Sequence, residues 1–223
     1  MSILLLGGSP SIPSSSSRLL LHIGDRLALQ GHRHSKLFVR DLPPAALLHA
    51  DFSDPAIRQA QALVAAADAI VIATPVYKAS CSGILKALLD LLPQDGLAGK
   101  VVLPVATGGS QSHMLALDYA LRPILSALDA RHVLTSIYAT AEQLGADADG
   151  GLTLHPAIAA RVAAGVDHLS EVLLALAGKR QQRAAQALPD PVPTRSLHDH
   201  PYAHHSQSAC DPGQPRLGHR LGS

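Results

Sequence analysis

Short apolar runs recur along the chain, separated by stretches long enough for a helix. An uninterrupted apolar run, such as SILLL or AIVIA, is typical of a strand buried on both faces of a parallel sheet. We predict five strands, at 2–6, 35–39, 68–77, 100–109 and 132–139. Pro104 falls inside the fourth run and lacks a backbone N–H for the ladder, so we expect a local irregularity there.

Between these runs, apolar residues return every three or four positions, which is the spacing of one helix face. This spacing predicts five helices, at 18–30, 55–67, 83–92, 113–129 and 156–177. Regular alternation of strands and helices is typical of a parallel sheet covered by helices on both faces. The predicted fold is therefore α/β, with a five-stranded parallel sheet.

The composition changes after Gly178. The segment that follows has no apolar period and is rich in Pro, His, Gln and Ser. We predict a folded domain over 1–178 and a disordered tail over 179–223. HDHPYAHH at 198–205 carries side chains that can bind metals, but no predicted scaffold holds them, so we expect no metal site.

Charge and composition narrow the function classes. The formal net charge is +1, so we expect no nucleic-acid binding, which needs a concentrated basic face. No apolar run approaches the roughly 20 residues that span a bilayer, and no signal-peptide pattern is visible. The chain has two cysteines, Cys81 and Cys210, which make no disulfide framework. We expect a cytoplasmic protein that does not bind membranes.

A serine-rich stretch, GGSPSIPSSSSR at 7–18, joins the first strand to the first helix. Open α/β sheets bind ligands at the carboxyl ends of their strands, and helix N-termini present unpaired N–H groups. The hydroxyls of Ser9, Ser11 and the serines at 14–17 could join those amides around a phosphate. The stretch has neither GxxxxGK[ST] nor GxGxxG, which favours a phosphomonoester. A simple helix N-cap is the alternative, and this loop alone leaves both open.

Two further loops leave the same end of the predicted sheet. TPVYKAS at 74–80 offers an aromatic ring and a cation, and ATGGS at 106–110 offers glycines that let a flat ring approach the backbone closely. Each loop alone is more simply a strand-to-helix turn. Together with the serine-rich stretch they favour a site for flavin mononucleotide (FMN).

Four stretches resemble the NADPH-dependent FMN reductases of two-component alkanesulfonate monooxygenase systems. They occur in the same order over roughly 1–175: GSPSIPSSSS, ATPVYKASCSGILKALLDLLP, GKVVLPVATGGS and LALDYALRPILSAL. The resemblance implies a flavodoxin-like fold, FMN and NADPH as cofactors, and transfer of reduced FMN to a flavin-dependent alkanesulfonate monooxygenase. It also implies a homo-oligomer, either a dimer or a tetramer.

The resemblance also assigns residues. It implies that the FMN phosphate contacts Ser9, Ser14 and Ser16, that the ribityl chain and ring are bordered by Pro75, Val76, Tyr77 and Lys78, and that the ring edge meets Thr107, Gly108 and Gly109. Ser11, Ser15 and Ser110 complete the predicted cofactor-binding set. The wider family often carries arginine where this chain has Ser11. Lys78 is also a candidate for stabilising a negative flavin or the NADPH phosphates, and no protein acid or base is assigned.

Tyr119 lies four residues before Pro123, inside the fourth predicted helix. Proline has no N–H to donate to the carbonyl of Tyr119, so the helix should kink or bulge there. In the resembled reductases a tyrosine at this place forms a π-helix at the subunit interface, which is associated with transfer of the flavin. The alternative is a kinked helix whose tyrosine fills a gap in the core.

Other functions remain open at this point. One is a related flavoenzyme that retains FMN and reduces quinones, azo dyes or chromate. Another is a flavodoxin-like electron carrier with no turnover of its own, although such carriers are usually strongly acidic. A third is an interaction module that has lost its ligand, against which the three intact loops argue.

Overall fold

A parallel sheet organises the computed structural model, which describes residues 1–147 and 151–186. Its strands are β1 (Ser2–Gly7), β2 (Arg33–Phe38), β3 (Ala69–Pro75), β4 (Val101–Gly108), β5 (His132–Val133) and β6 (Ile137–Thr140). The order is β2-β1-β3-β4-β5, with β6 also paired to β4, and every pairing is parallel. This strand order is that of flavodoxin-like folds, which confirms the predicted class.

Helices follow most strands, as the periodicity predicted. They are α1 (Ser15–Leu29), α2 (Pro44–Leu48), α3 (Pro55–Ala66), α4 (Gly83–Asp90), α5 (Arg122–Ala127) and α6 (Pro156–Gln186). Side chains cap three of them, because Ser14, Asp54 and Ser82 accept hydrogen bonds from backbone N–H groups in the first turns of α1, α3 and α4. The short α2 and the hairpin of β7 (Leu144–Ala146) and β8 (Leu152–Leu154) were not predicted.

Alternate residues of the buried strands supply two separate cores. Ile3 and Leu5 of β1 pack in the layer of α1 and α6, whereas Leu4 and Leu6 pack in the layer of α3, α4 and α5. All four side chains are at most 1% exposed. This two-sided burial explains why β1 reads as a continuous apolar run.

The irregularity expected at Pro104 lies in the neighbouring strand. Pro104 continues β4 in register opposite Ile72 of β3. On the other side of β4, β5 pairs only as far as Val102 and β6 begins only at Val105. The position of the missing proline N–H therefore coincides with a gap in the partner strand. The prediction of a single strand over 132–139 is wrong. Two short strands, β5 and β6, lie on either side of the gap opposite Pro104.

Helix α6 continues past the boundary predicted at 178, and the structure describes it as far as Gln186. The rest of the predicted tail, including HDHPYAHH, lies outside the described residues. None of the described helices is long and apolar enough to cross a membrane.

Candidate functional site

The three predicted loops meet at the carboxyl edge of β1, β3 and β4, where they enclose a cleft of about 260 Å³. The cleft is lined by Ser9, Ser11, Pro13, Ser14, Ser15, Pro75, Val76, Tyr77, Thr107, Gly108, Gly109 and Ala141. None of these lining residues carries a charge. The arrangement suits a ligand held by hydroxyl and backbone groups along an uncharged wall.

The serine loop is ordered by its own hydroxyls. Ser14 has an extended backbone, and its Oγ accepts a hydrogen bond of 3.2 Å from the N–H of Ser17. The Oγ atoms of Ser14 and Ser16 lie 3.1 Å apart, and Ser9 Oγ accepts from the N–H of Ser11 at 3.2 Å. The helix-cap alternative is therefore confirmed for Ser14. It does not exclude the phosphate interpretation, because a hydroxyl oxygen that caps a helix keeps its own proton to donate.

The second loop is anchored beneath the first. Ser82 donates from its Oγ to the carbonyl oxygen of Gly8, and its N–H donates to Thr74 Oγ1 at 3.0 Å. Beyond this anchor, Tyr77 and Ser80 exchange two backbone hydrogen bonds of 3.0 Å each. Both intervening residues have positive φ, 50° at Lys78 and 60° at Ala79, as in a tight hairpin turn. The turn places Tyr77 at the cleft and Lys78 at the exposed tip.

The third loop is shaped by a buried tyrosine. Tyr138 on β6 is 2% exposed, and its phenol donates to the carbonyl oxygen of Ser110 at 2.6 Å. A Cβ atom at Gly108 would collide with that phenol oxygen. Glycine is therefore required at 108 by a neighbouring side chain, in addition to any need for a ligand to approach the backbone.

The structure brings most of the predicted binding residues together and leaves three outside the lining. Ser16 is buried beneath the loop, at 1% exposure. Lys78 is exposed at the turn, and Ser110 caps the following 3₁₀ turn by accepting from the N–H of Ser112 at 3.3 Å. Pro13 and Ala141 line the cleft and were missed, although Ala141 follows β6 and thus lies at the same sheet edge.

The helix around Tyr119 contains the predicted irregularity. Residues Leu117–Leu121 form a π-helix, in which the N–H of Arg122 donates to the carbonyl oxygen of Leu117. Tyr119 lies inside this segment and is 80% exposed. The alternative in which the tyrosine fills a gap in the core is therefore wrong, and the π-type bulge is confirmed.

Comparison with known proteins decides the family. The sequence profile of the NADPH-dependent FMN reductase family matches residues 1–145. The chain belongs to this family. The reductase is 51% identical to an FMN reductase (NADPH) from Pseudomonas putida over 144 residues, which are 65% of this chain and 73% of that protein. It is 45% identical to an FMN reductase (NADPH) from Escherichia coli, again over 65% of this chain and 75% of the relative.

A solved structure supports the same assignment. The apo form of the NADH:FMN oxidoreductase EMOB superposes with a TM-score of 0.69 and 38% identity, covering 75% of this reductase and 87% of that chain. The reductase is therefore an oxidoreductase with a flavodoxin-like fold, and its family implies FMN and NADPH as flavin and nicotinamide. Membership of an enzyme family excludes the electron carrier and the ligand-free module considered from the sequence.

Proposed function

We propose that this FMN reductase releases its reduced flavin to a flavin-dependent monooxygenase that cleaves alkanesulfonates, as part of sulfur acquisition. The observation that carries the proposal is the uncharged lining of the cleft. Hydroxyls and backbone N–H groups make weaker hydrogen bonds to a phosphate than cationic side chains do, which favours a flavin that can leave the site. A flavin that binds and dissociates reversibly acts as a substrate and can be transferred to a second enzyme.

The residues of the cleft offer groups suited to each part of FMN. The serine hydroxyls and the free N–H groups at the start of α1 suit the phosphate, because both donate hydrogen bonds and the helix dipole favours an anion. Val76 and Tyr77 offer apolar contact to the ribityl chain and ring, and Gly108 and Gly109 admit the ring edge. When bound, FMN accepts hydride from the nicotinamide. The chain binds and orients both molecules.

Lys78 stands at the tip of its turn, where a flexible ammonium can reach past the cleft wall. We propose an electrostatic role for it toward the phosphates of NADPH. Because the side chain is exposed in the described structure, its effect should appear in the KM for NADPH and not in FMN binding.

The π-helix supports two proposals, that the reduced flavin is transferred and that the reductase forms an oligomer. Tyr119 is 80% exposed, and Met114 and Leu115 shortly before it are 44% and 53% exposed, so three large apolar side chains lie exposed within six residues. We propose that Tyr119 meets a second subunit of this reductase in a dimer or tetramer, and that the contact favours flavin exchange over retention.

A coupled assay tests the function. The reductase is mixed with NADPH, FMN, an alkanesulfonate and a flavin-dependent alkanesulfonate monooxygenase, and sulfite release is measured. We expect sulfite release to require the reductase, NADPH and added FMN together, because the monooxygenase uses the reduced flavin that the reductase releases. If FMN remains bound through purification, and quinones, azo dyes or chromate are reduced instead, the FMN-retaining alternative is correct.

A further inference from the structure

Arg40 reaches the serine loop from a different part of the chain. It lies in the 3₁₀ turn Val39–Asp41 that follows β2. Its Nη1 donates to Ser17 Oγ at 3.1 Å and to the carbonyl oxygen of Ser11 at 3.4 Å. One guanidinium therefore holds both the middle of the loop and the first turn of α1.

The charge on Arg40 is only weakly compensated. The side chain is 16% exposed, and its guanidinium stacks on the ring of Phe38 at 4.5 Å from the centroid. Its Nε is buried and has no hydrogen-bond partner in the described structure. The carboxylate of Asp41 lies 3.8 Å away, is 65% exposed and is therefore well screened by water. A cation held in this way keeps a positive electrostatic potential around it, which would attract a nearby anion.

The other arginine at this end of α1 is engaged elsewhere. Arg18 donates from Nη2 to the carbonyl oxygens of Gly145 and Gly151, at 3.1 and 3.3 Å. Both acceptors belong to the β7–β8 hairpin region. Arg18 is thus tied to the hairpin, whereas Arg40 is tied to the serines.

Arg40 is absent from the cleft lining and contacts the loop from behind. Its partner Ser17 donates its N–H to Ser14 Oγ, and Ser14 lines the cleft. The guanidinium thus reaches the cleft lining directly at the carbonyl oxygen of Ser11 and, through Ser17, at Ser14. Even without direct contact, the guanidinium and a phosphate in the cleft would attract each other appreciably, because the effective dielectric constant near a protein surface is far below that of water.

We propose that Arg40 is a positioning residue for the FMN phosphate, fixing the serine loop and supplying the positive charge that the lining lacks. The inference rests on the proposed placement of the phosphate in the serine loop. Arg40 should then contribute to the preference of the chain for FMN over riboflavin, which lacks the phosphate.

The experiment compares FMN and riboflavin binding to the full-length chain, stripped of flavin, by quenching of flavin fluorescence. The variants are Arg40→Gln, which removes the charge, and Arg40→Lys, which keeps it without the planar fork. Arg131→Gln is the matched control, because this arginine is 80% exposed, pairs with Asp129 and precedes β5 at the opposite edge of the sheet.

Arg40→Gln should raise the Kd for FMN about tenfold, which corresponds to about 1.4 kcal/mol, and should change the Kd for riboflavin less than twofold. Arg40→Lys should retain most of the FMN preference, and Arg131→Gln should retain all of it. Added salt should weaken FMN binding more in the unmodified chain than in Arg40→Gln, because screening acts on the charge that the variant has lost.

The outcomes distinguish the placement of the phosphate in the serine loop from the role of Arg40. If the unmodified chain binds FMN and riboflavin equally, the phosphate is not in the serine loop and the placement itself fails. If it prefers FMN but Arg40→Gln keeps that preference, the role of Arg40 is overturned. Equal losses of affinity for both flavins would also overturn it.

Discussion

The phenol of Tyr138 donates a hydrogen bond of 2.6 Å to the carbonyl oxygen of Ser110, and the same phenol oxygen occupies the space that a side chain at Gly108 would need. One buried side chain from β6 thus determines the path of the loop that follows β4. The loop closes one side of the candidate flavin cleft. The geometry of the cleft is consequently sensitive to changes at Tyr138, Ser110 or Gly108.

Gly108→Ala should strongly impair FMN binding. The added methyl would collide with the Tyr138 phenol, which is buried and cannot swing away, so the loop must move. We expect the KM for FMN to rise at least tenfold, measured by NADPH oxidation at varied FMN. Gly83→Ala is the control, because a Cβ there meets no atom within 4 Å. Normal kinetics in Gly108→Ala would contradict this description of the loop.

Tyr138→Phe should lower the free energy of unfolding by about 1 kcal/mol, the typical net value of one hydrogen bond. Burial raises the pKa of Tyr138 above its ordinary value of 10.0. Because the folded pKa is raised, the stabilisation is complete below pH 10 and is lost as the pH rises through the folded value.

Denaturant unfolding of both proteins from pH 7 to pH 11 measures this difference. The gap between unmodified and Tyr138→Phe proteins should be constant up to about pH 9 and should narrow above pH 10. A gap that widened at high pH would mean that the phenol ionises more readily in the folded state.

Ser14→Ala should affect stability and flavin binding together. Loss of the N-cap of α1 should cost about 1 kcal/mol of unfolding free energy, and loss of the hydroxyl should weaken FMN binding. Ser15→Ala provides the comparison, since Ser15 also lines the cleft but is the first residue of the helix and not its cap. It should weaken FMN binding at nearly unchanged stability. Identical thermal shifts for the two variants would contradict the assigned roles.

Tyr119→Ala should leave the folded subunit nearly as stable as before, because exposed substitutions typically change stability by less than about 0.5 kcal/mol. If Tyr119 meets a second subunit, the variant should have a smaller mass by light scattering and should retain more FMN through gel filtration. Leu174→Ala serves as the control, because Leu174 is an apolar residue on α6 that is 63% exposed. Unchanged mass and flavin content in Tyr119→Ala would refute the interface role.

The sequence predicted the sheet well because its strands are buried on both faces. β1, β3 and β4 read as continuous apolar runs, and their observed bounds differ from the predicted ones by only a few residues. The loops at their carboxyl ends were predicted for the same reason, since the position of a strand end follows from the strand itself. A kink or bulge near Tyr119 followed from a local rule, the missing N–H of Pro123, whereas its π type was implied by the family resemblance.

Features that depend on contacts distant in sequence were not predicted. Arg40 contacts Ser17 because β2 lies beside β1, and nothing in the local sequence around Arg40 marks it as part of the serine loop. The break between β5 and β6 depends on Pro104, a residue of another strand. The extension of α6 to Gln186 was missed because KRQQR has no apolar period, although its residues are good helix formers.

The central claim is that the chain reduces free FMN with NADPH and releases it. The most direct measurement is NADPH oxidation by purified, flavin-stripped protein, followed at about 340 nm, where reduced nicotinamide absorbs, with and without added FMN. We predict negligible oxidation without flavin and rapid oxidation that saturates at micromolar FMN. Oxidation that saturates at one FMN per protein would indicate a retained flavin, and no oxidation under any flavin condition would contradict the reductase function itself.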